Sequence, residues 1–363
     1  MGKTSIEWTD RSINPIRARI GENVGHHCVK ISPGCKNCYS SRTQPRFRMP
    51  VFQEQRGQDV ETYLDGNRLA EVMRRRTPTK WFWCDMTDLF GDWVPFEMIA
   101  ACFGVMAATP QHTHQVLTKR PERAREFFEW WDGDLMKAAG AADEVLPGAL
   151  AAKLYDHFDD EMGESSLPYI LPNVWLGVSA ENQEQADKRI PVLLELPAAV
   201  HFVSAEPLLG PIDFTHIQWP GKHRVDVLRG GYWTGEGQPG AVAPGFVNHS
   251  DFPAELDWII CGGESGNGAR PCNVEWIRDI VRQCEDTRCA VFVKQLGRTV
   301  VENRGRDEER IGGGADRPNV FAGRITEDGT VERQWHPINR KGGDMAEFPE
   351  PLRVRQFPEV RHG

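Results

Sequence analysis

The sequence predicts an α/β protein built as a partial or complete (β/α) barrel with inserted helical and loop excursions. Three observations carry that expectation. Six short runs rich in Val, Ile, Phe and Trp lack polar alternation, as strands buried on both faces of a parallel sheet do. Helical patterns lie between them, so strand and helix alternate repeatedly. Each run also ends in charged or hydroxyl residues, the position where barrel active sites lie.

The elements follow in order. The first clear strand is Lys80–Asp88 (KWFWCDMTD), and Pro95 opens a helix over the apolar stretch Met98–Ala108. His114–Pro121 is the next strand and leads into a helix over Glu122–Trp131. Asn173–Asn182 follows, with Asn182 placed to cap a helix reaching Leu196 through Pro191. Val200–Pro207, Leu256–Glu264 and Cys289–Leu296 complete the set. Before the last of these, Trp276, Ile277, Ile280, Val281 and Cys284 form one face of a helix beginning after Asn273.

Strand ends then carry Asp85 and Asp88, Lys119 and Arg120, Ser179 with Glu181, Ser204 with Glu206, Glu264, and Lys294 with Gln295. The barrel is expected over residues 1–300, interrupted by a helical insertion at about 132–172 and a Gly/Pro-rich loop or lid at about 210–255. Residues 301–363 read as a C-terminal extension, flexible over 301–318.

The chain has 363 residues, with 43 Lys and Arg against 52 Asp and Glu, a net charge of −9. With 40% hydrophobic residues this is a globular composition, neither disordered nor fibrous. No apolar run approaches the ~18 residues of a membrane span. The opening MGKTSIEWTD has no signal-peptide core, so the expected compartment is the cytoplasm. The charge is uneven, since residues 1–80 hold 15 Lys and Arg against 8 Asp and Glu. Arg42, Arg46, Arg48, Arg74, Arg75, Arg76 and Lys80 make a polyanionic partner for residues 42–80 an expectation, with a solvated helix face as the alternative.

Nine cysteines in a reducing compartment argue against a disulfide framework and for metal or cluster binding. Cys28, Cys35 and Cys38 place three thiols within eleven residues, around Pro33 and Gly34. Three soft ligands with one position open suit a [4Fe-4S] cluster whose fourth iron takes a substrate or cosubstrate. A Cys3His zinc site completed by His26 or His27 is the competing arrangement, and a trio of reduced structural thiols is the third. Cys84, Cys102 and Cys261 lie in apolar patterns and read as core thiols. Cys272, Cys284 and Cys289 could serve a second cluster, although Cys284 fits the buried helix stripe. His112 and His114 precede a strand and read as surface turn residues, with a metal role as the alternative.

Several segments together resemble one family: TSIEWTD with Asn14-Pro15, KISPGCKNCYS, CDMTDLFGDWVP, VLTKRP, NVWLGVSAENQ, RIPVLLELPA, VSAEPLLGPIDF, DWIICGGESGNGARP and VFVKQLG. The chain is similar over residues 4–297, with an echo at Gly342–Pro349, to the phage- and prophage-associated, radical-SAM-like three-Cys-motif family. That family in turn resembles radical S-adenosylmethionine enzymes, including DNA photoproduct lyase. The resemblance implies a barrel of radical-SAM type, located in the bacterial cytoplasm if phage-encoded. It implies that Cys28, Cys35 and Cys38 ligate a [4Fe-4S] cluster whose fourth iron chelates S-adenosylmethionine. Reductive cleavage, fed by an electron donor such as flavodoxin, would give a 5′-deoxyadenosyl radical for modification or repair of a nucleic acid or nucleotide.

Gly262-Gly263-Glu264 resembles the Gly-Gly-Glu element that holds the methionyl amine. Glu181, Glu206, Lys119, Arg270 and Lys294 are further candidate cofactor contacts. The pattern departs from C-x3-C-x2-C: six residues separate Cys28 from Cys35, and Asn37 stands where an aromatic commonly precedes the third cysteine, with Tyr39 following it. The alternative function is a zinc- or cluster-stabilised module that binds DNA or a partner protein without turnover.

Overall fold

The computed structural model describes residues 4–43, 60–161, 170–221, 223–234, 245–247, 255–304, 320–325, 331–339 and 341–359. Pro45, Arg46, Arg48 and most of 301–318 therefore lie outside the described residues, as do parts of the expected insertions. Two compact units divide the chain, one running to Val178 and including Glu195–His201, the other comprising Ser179–Leu194 and Phe202–Glu359.

In the first unit the order is β1 (Arg11–Ile13), β2 (Ile16–Ile20), β3 (Asn23–Gly25), α1 (Tyr39–Thr43), β4 (Glu61–Leu64), α2 (Gly66–Arg74), β5 (Lys80–Trp83), α3 (Phe96–Ala107), β6 (Thr113–Thr118), α4 (Pro121–Trp131), α5 (Leu135–Asp143), α6 (Gly148–Glu161) and β7 (Val174–Ser179). The second unit continues with α7 (Gln183–Leu193), β8 (Val200–Ala205), β9 (Ile217–Gln218), β10 (Arg224–Val225), β11 (Tyr232–Thr234), β12 (Gly245–Val247), β13 (Trp258–Gly262), β14 (Cys272–Asn273), α8 (Val274–Cys284), β15 (Ala290–Gln295), β16 (Val300–Arg304), β17 (Val320–Ile325) and β18 (Val331–Trp335).

Among the described residues, seven strands form a parallel half-barrel sheet in the order β1-β5-β6-β7-β8-β13-β15. All six expected strands are in it. β7 and β13 are buried at every position, which explains their unbroken apolar runs. β1 carries no signal in the sequence, because only Ile13 is fully buried and three residues leave no period. β1 is defined by its partner, pairing Ile13 with Trp83 of β5.

Helix ends follow local chemistry. The Asn182 side chain accepts from the Gln185 N–H, and Asn273 caps α8 by accepting from Glu275. α7 runs through Pro191 and stops at Leu193, short of the expected Leu196. α3 is buried from Ile99 through Ala107, so it has no polar face to show in the sequence. Its Phe103 packs with Phe90, Phe127, Phe128 and Trp131. Each fully buried ring of this kind contributes about 1.5–3 kcal/mol.

Within 132–172 the described residues form α5 and α6. The segment 210–255 departs from the expected loop: its described residues include the four-stranded sheet β12-β11-β10-β9. Strands of two and three residues are fixed by pairing, not by composition, and Gly and Pro between them hid the pattern. In the C-terminal region β14-β16-β18-β17 form a further sheet, and Val354 and Gln356 bond along β15. No helix among the described residues is long and apolar enough to cross a membrane.

Candidate functional site

The three-cysteine segment lies between β3 and α1 in the first unit. Ser32 is extended, and Pro33 opens a tight turn in which Cys35 N–H donates to Ser32 O at 3.0 Å and Lys36 N–H to Pro33 O at 3.2 Å. A further turn follows as Cys38 N–H donates to Cys35 O at 3.3 Å.

The loop is fastened to the carboxy ends of β5 and β6. Cys84, the residue after β5, sits in the left-handed region (φ 59°). The Thr87 hydroxyl then donates to His27 O, and Ser40 donates to Met86 O at 2.7 Å. The Tyr39 hydroxyl is shared between the Asp85 backbone oxygen and its carboxylate, the latter at 3.0 Å. Asn14 braces this contact by donating to Asp85 and accepting from Met86 N–H at 3.0 Å.

From β6, Arg120 spans two partners. One nitrogen donates to Asp88 at 3.0 Å, the other to Val29 O at 2.9 Å, next to Cys28. The guanidinium also lies 4.7 Å from the Trp93 ring centre. Asp88 is satisfied further by the Thr118 hydroxyl (2.7 Å) and by Lys119 and Phe90 N–H (both 3.1 Å).

The thiols sit in unequal fields. Burial, with Asp88 adding to it, pushes Cys28 up to about 12, while Arg120 opposes the shift. Burial acts against Cys35 too, but the Lys119 ammonium and hydrogen bonding with the Ile31 and Ser32 backbone outweigh it and lower that thiol. The Ser32 hydroxyl lies 3.8 Å from the Cys35 sulfur. Burial raises Asp85, although Asn14, Tyr39 and Ser12 hydrogen-bond to it.

This donor set suits a thiolate-held group: three soft ligands on one loop, with Lys119 and Arg120 supplying charge that offsets the anionic sulfurs. Among the described residues no three His, Cys, Asp or Glu side chains gather closely enough to hold one metal ion. His26 is occupied at both ring nitrogens, by Ile16 O at 3.2 Å and Arg17 at 3.4 Å, and burial lowers it to about 4. A Cys3His arrangement would therefore fall to His27, whose ring stands edge-on to Trp93 at 4.9 Å.

The remaining candidates, apart from Lys119, belong to the second unit, where each charged side chain has an ionic partner. Glu181 is fully buried and bonds Arg189 at 3.1 Å; Glu206 bonds Lys294 at 3.1 Å. Glu264 takes Arg270 in a fork (2.7 and 3.0 Å) and also accepts the Arg270 N–H at 2.8 Å. Gly262 and Gly263 are required by the chain's own packing. A Cβ on Gly262 would meet Gln295 O at 2.7 Å, and one on Gly263 would meet Leu296 O at 2.3 Å.

Cys84, Cys102, Cys261, Cys272, Cys284 and Cys289 are all buried. His114 is a core residue rather than a surface turn, accepting from Trp83 Nε1 at 3.0 Å with Thr109 at 3.0 Å on its other nitrogen. His112 is likewise buried. Arg74, Arg75 and Arg76 precede β5 and so lie at its amino end, about 13 Å along the strand from the end that meets the cysteine loop. They are not brought to the cysteines.

Searches of curated proteins and of solved structures return no match. A family model does match, over residues 3–332, and its description is Protein of unknown function (DUF5131). That match covers most of the chain, so the chain belongs to the DUF5131 family.

Proposed function

We propose that the protein is an iron–sulfur enzyme of radical S-adenosylmethionine type, with a half-barrel of that class, acting on a nucleic acid or nucleotide. The observation that carries this reading is the three-thiol loop docked across the carboxy ends of β5 and β6, beside the Lys119 and Arg120 cations. Cys28, Cys35 and Cys38 would hold the cluster, Cys28 losing on ligation the proton that burial favours. A [4Fe-4S] cluster with S-adenosylmethionine supplies a 5′-deoxyadenosyl radical when bound.

The chain's own residues do the positioning. Arg120 holds the backbone beside Cys28, and Tyr39, Ser40 and Thr87 hold both flanks of the loop. Lys119 keeps positive charge at Cys35. An electron donor such as flavodoxin would reduce the cluster in the cytoplasm of the bacterial host.

Anaerobic incubation with S-adenosylmethionine and dithionite should release 5′-deoxyadenosine. A fully loaded cluster that releases none would overturn the enzymatic reading in favour of a cluster-stabilised binding module for DNA or a protein partner.

A further inference from the structure

We propose that Tyr39 is a stacking platform for an unpaired base, and that the cysteine loop engages single-stranded nucleic acid in preference to duplex. This deepens the reading of the site as one acting on a nucleic acid or nucleotide and rests on it.

Tyr39 is 49% exposed, among the most exposed large apolar side chains described. Its hydroxyl is nevertheless pinned by the Asp85 carboxylate and backbone, and Asp85 is braced by Asn14. An exposed ring with a fixed hydroxyl is pre-organised, because little rotamer freedom remains to be lost on binding. Structural packing alone does not call for a residue half in solvent whose hydroxyl is held by Asp85, itself braced by Asn14.

The charge around it fits a polyanion. Between Glu22 and Thr43 the described residues include no further Asp or Glu, while Lys30, Lys36 and Arg42 fall in that interval, in a protein of net charge −9. Arg42 is exposed and stands three residues after Tyr39 on α1, hence on the same face. Lys36 is exposed on the preceding turn, and Ile31, 47% exposed, adds apolar surface. An aromatic face among backbone-tracking cations is how proteins grip single strands, since every base offers a π-face. A duplex keeps its bases stacked and cannot present one without unpairing it.

The test is fluorescence anisotropy with labelled oligothymidine and a blunt duplex of equal length, using the full chain prepared anaerobically. The single strand should bind more tightly. Tyr39→Leu should weaken it by roughly ten-fold or more, and Tyr39→Phe, which keeps the ring, by less than about three-fold. Arg42→Gln should reduce the slope of log affinity against log salt by about 0.7. Melting temperatures of the variants within a few degrees of the parent establish that they fold. Single-strand binding indifferent to Tyr39→Leu overturns the proposal, as does duplex bound equally well. If Tyr39→Leu instead slows reduction by an acidic flavoprotein, or weakens S-adenosylmethionine alone, the ring serves another ligand and the proposal falls.

Iron content, measured on the same preparations, separates the two readings. Iron-free protein with Tyr39-dependent binding sinks the cluster and spares the platform; a loaded cluster without Tyr39 dependence does the reverse.

Discussion

Replacing Arg120 with Leu should loosen the cysteine loop and destabilise the first unit by an amount that follows from its contacts. Arg120 and Asp88 are each 8% exposed, so their pairing is shielded from water. Removing one member of a buried pair costs about 3–5 kcal/mol, because the other charge stays buried. Asp88 retains the Thr118 hydroxyl and the Lys119 and Phe90 N–H groups, which places the loss near the lower limit, about 3 kcal/mol. For a unit of this size, about 2–4 °C accompanies each kcal/mol, so the melting transition should fall by roughly 6–12 °C.

Differential scanning calorimetry on the cluster-free protein measures that shift, and iron content on the reconstituted variant measures the loop. Adding Asp88→Leu to Arg120→Leu should cost less than the sum of the single changes, since the pair couples. A shift below about 2 °C, or strictly additive changes, would refute the assignment of Arg120 as the clamp.

Other outcomes follow from the same contacts. Burial lowers His114 to about 3, so the unfolded chain takes up its proton first. Stability should hold above pH ~6.5 and decline as pH drops towards 3, by at most about 1.4 kcal/mol per pH unit from this group. Urea titrations across that range check it, and His114→Gln should flatten the slope without abolishing it, because His26 is lowered in the same direction. Glu264→Gln should cost about 2 kcal/mol by loosening the Arg270 fork, read as a lower urea midpoint; an unchanged midpoint would contradict that role.

The six buried strands were legible because both faces of each are covered, leaving an apolar run with no alternation to confuse it. β1 and the short strands of 210–255 were not, since two or three residues acquire strand geometry only from a partner. That the thiol trio shares one loop was legible from spacing. What holds it in place was not, because its contacts join residues far apart in the chain: Tyr39 reaches Asp85 across 46 positions, Asn14 reaches Asp85 across 71, and Arg120 reaches Val29 across 91. Strand-end charges were visible too, but their pairing was not. Nothing local marks Glu264 as the partner of Arg270, or Glu206 as that of Lys294.

The most direct test is the metal and acid-labile sulfide content of the full chain purified anaerobically, alongside Cys35→Ala. A brown protein absorbing near ~400 nm, with about four irons and four sulfides per chain lost in the variant, is the predicted result. Colourless protein with one zinc per chain, or iron that survives Cys35→Ala, would contradict the cluster assignment.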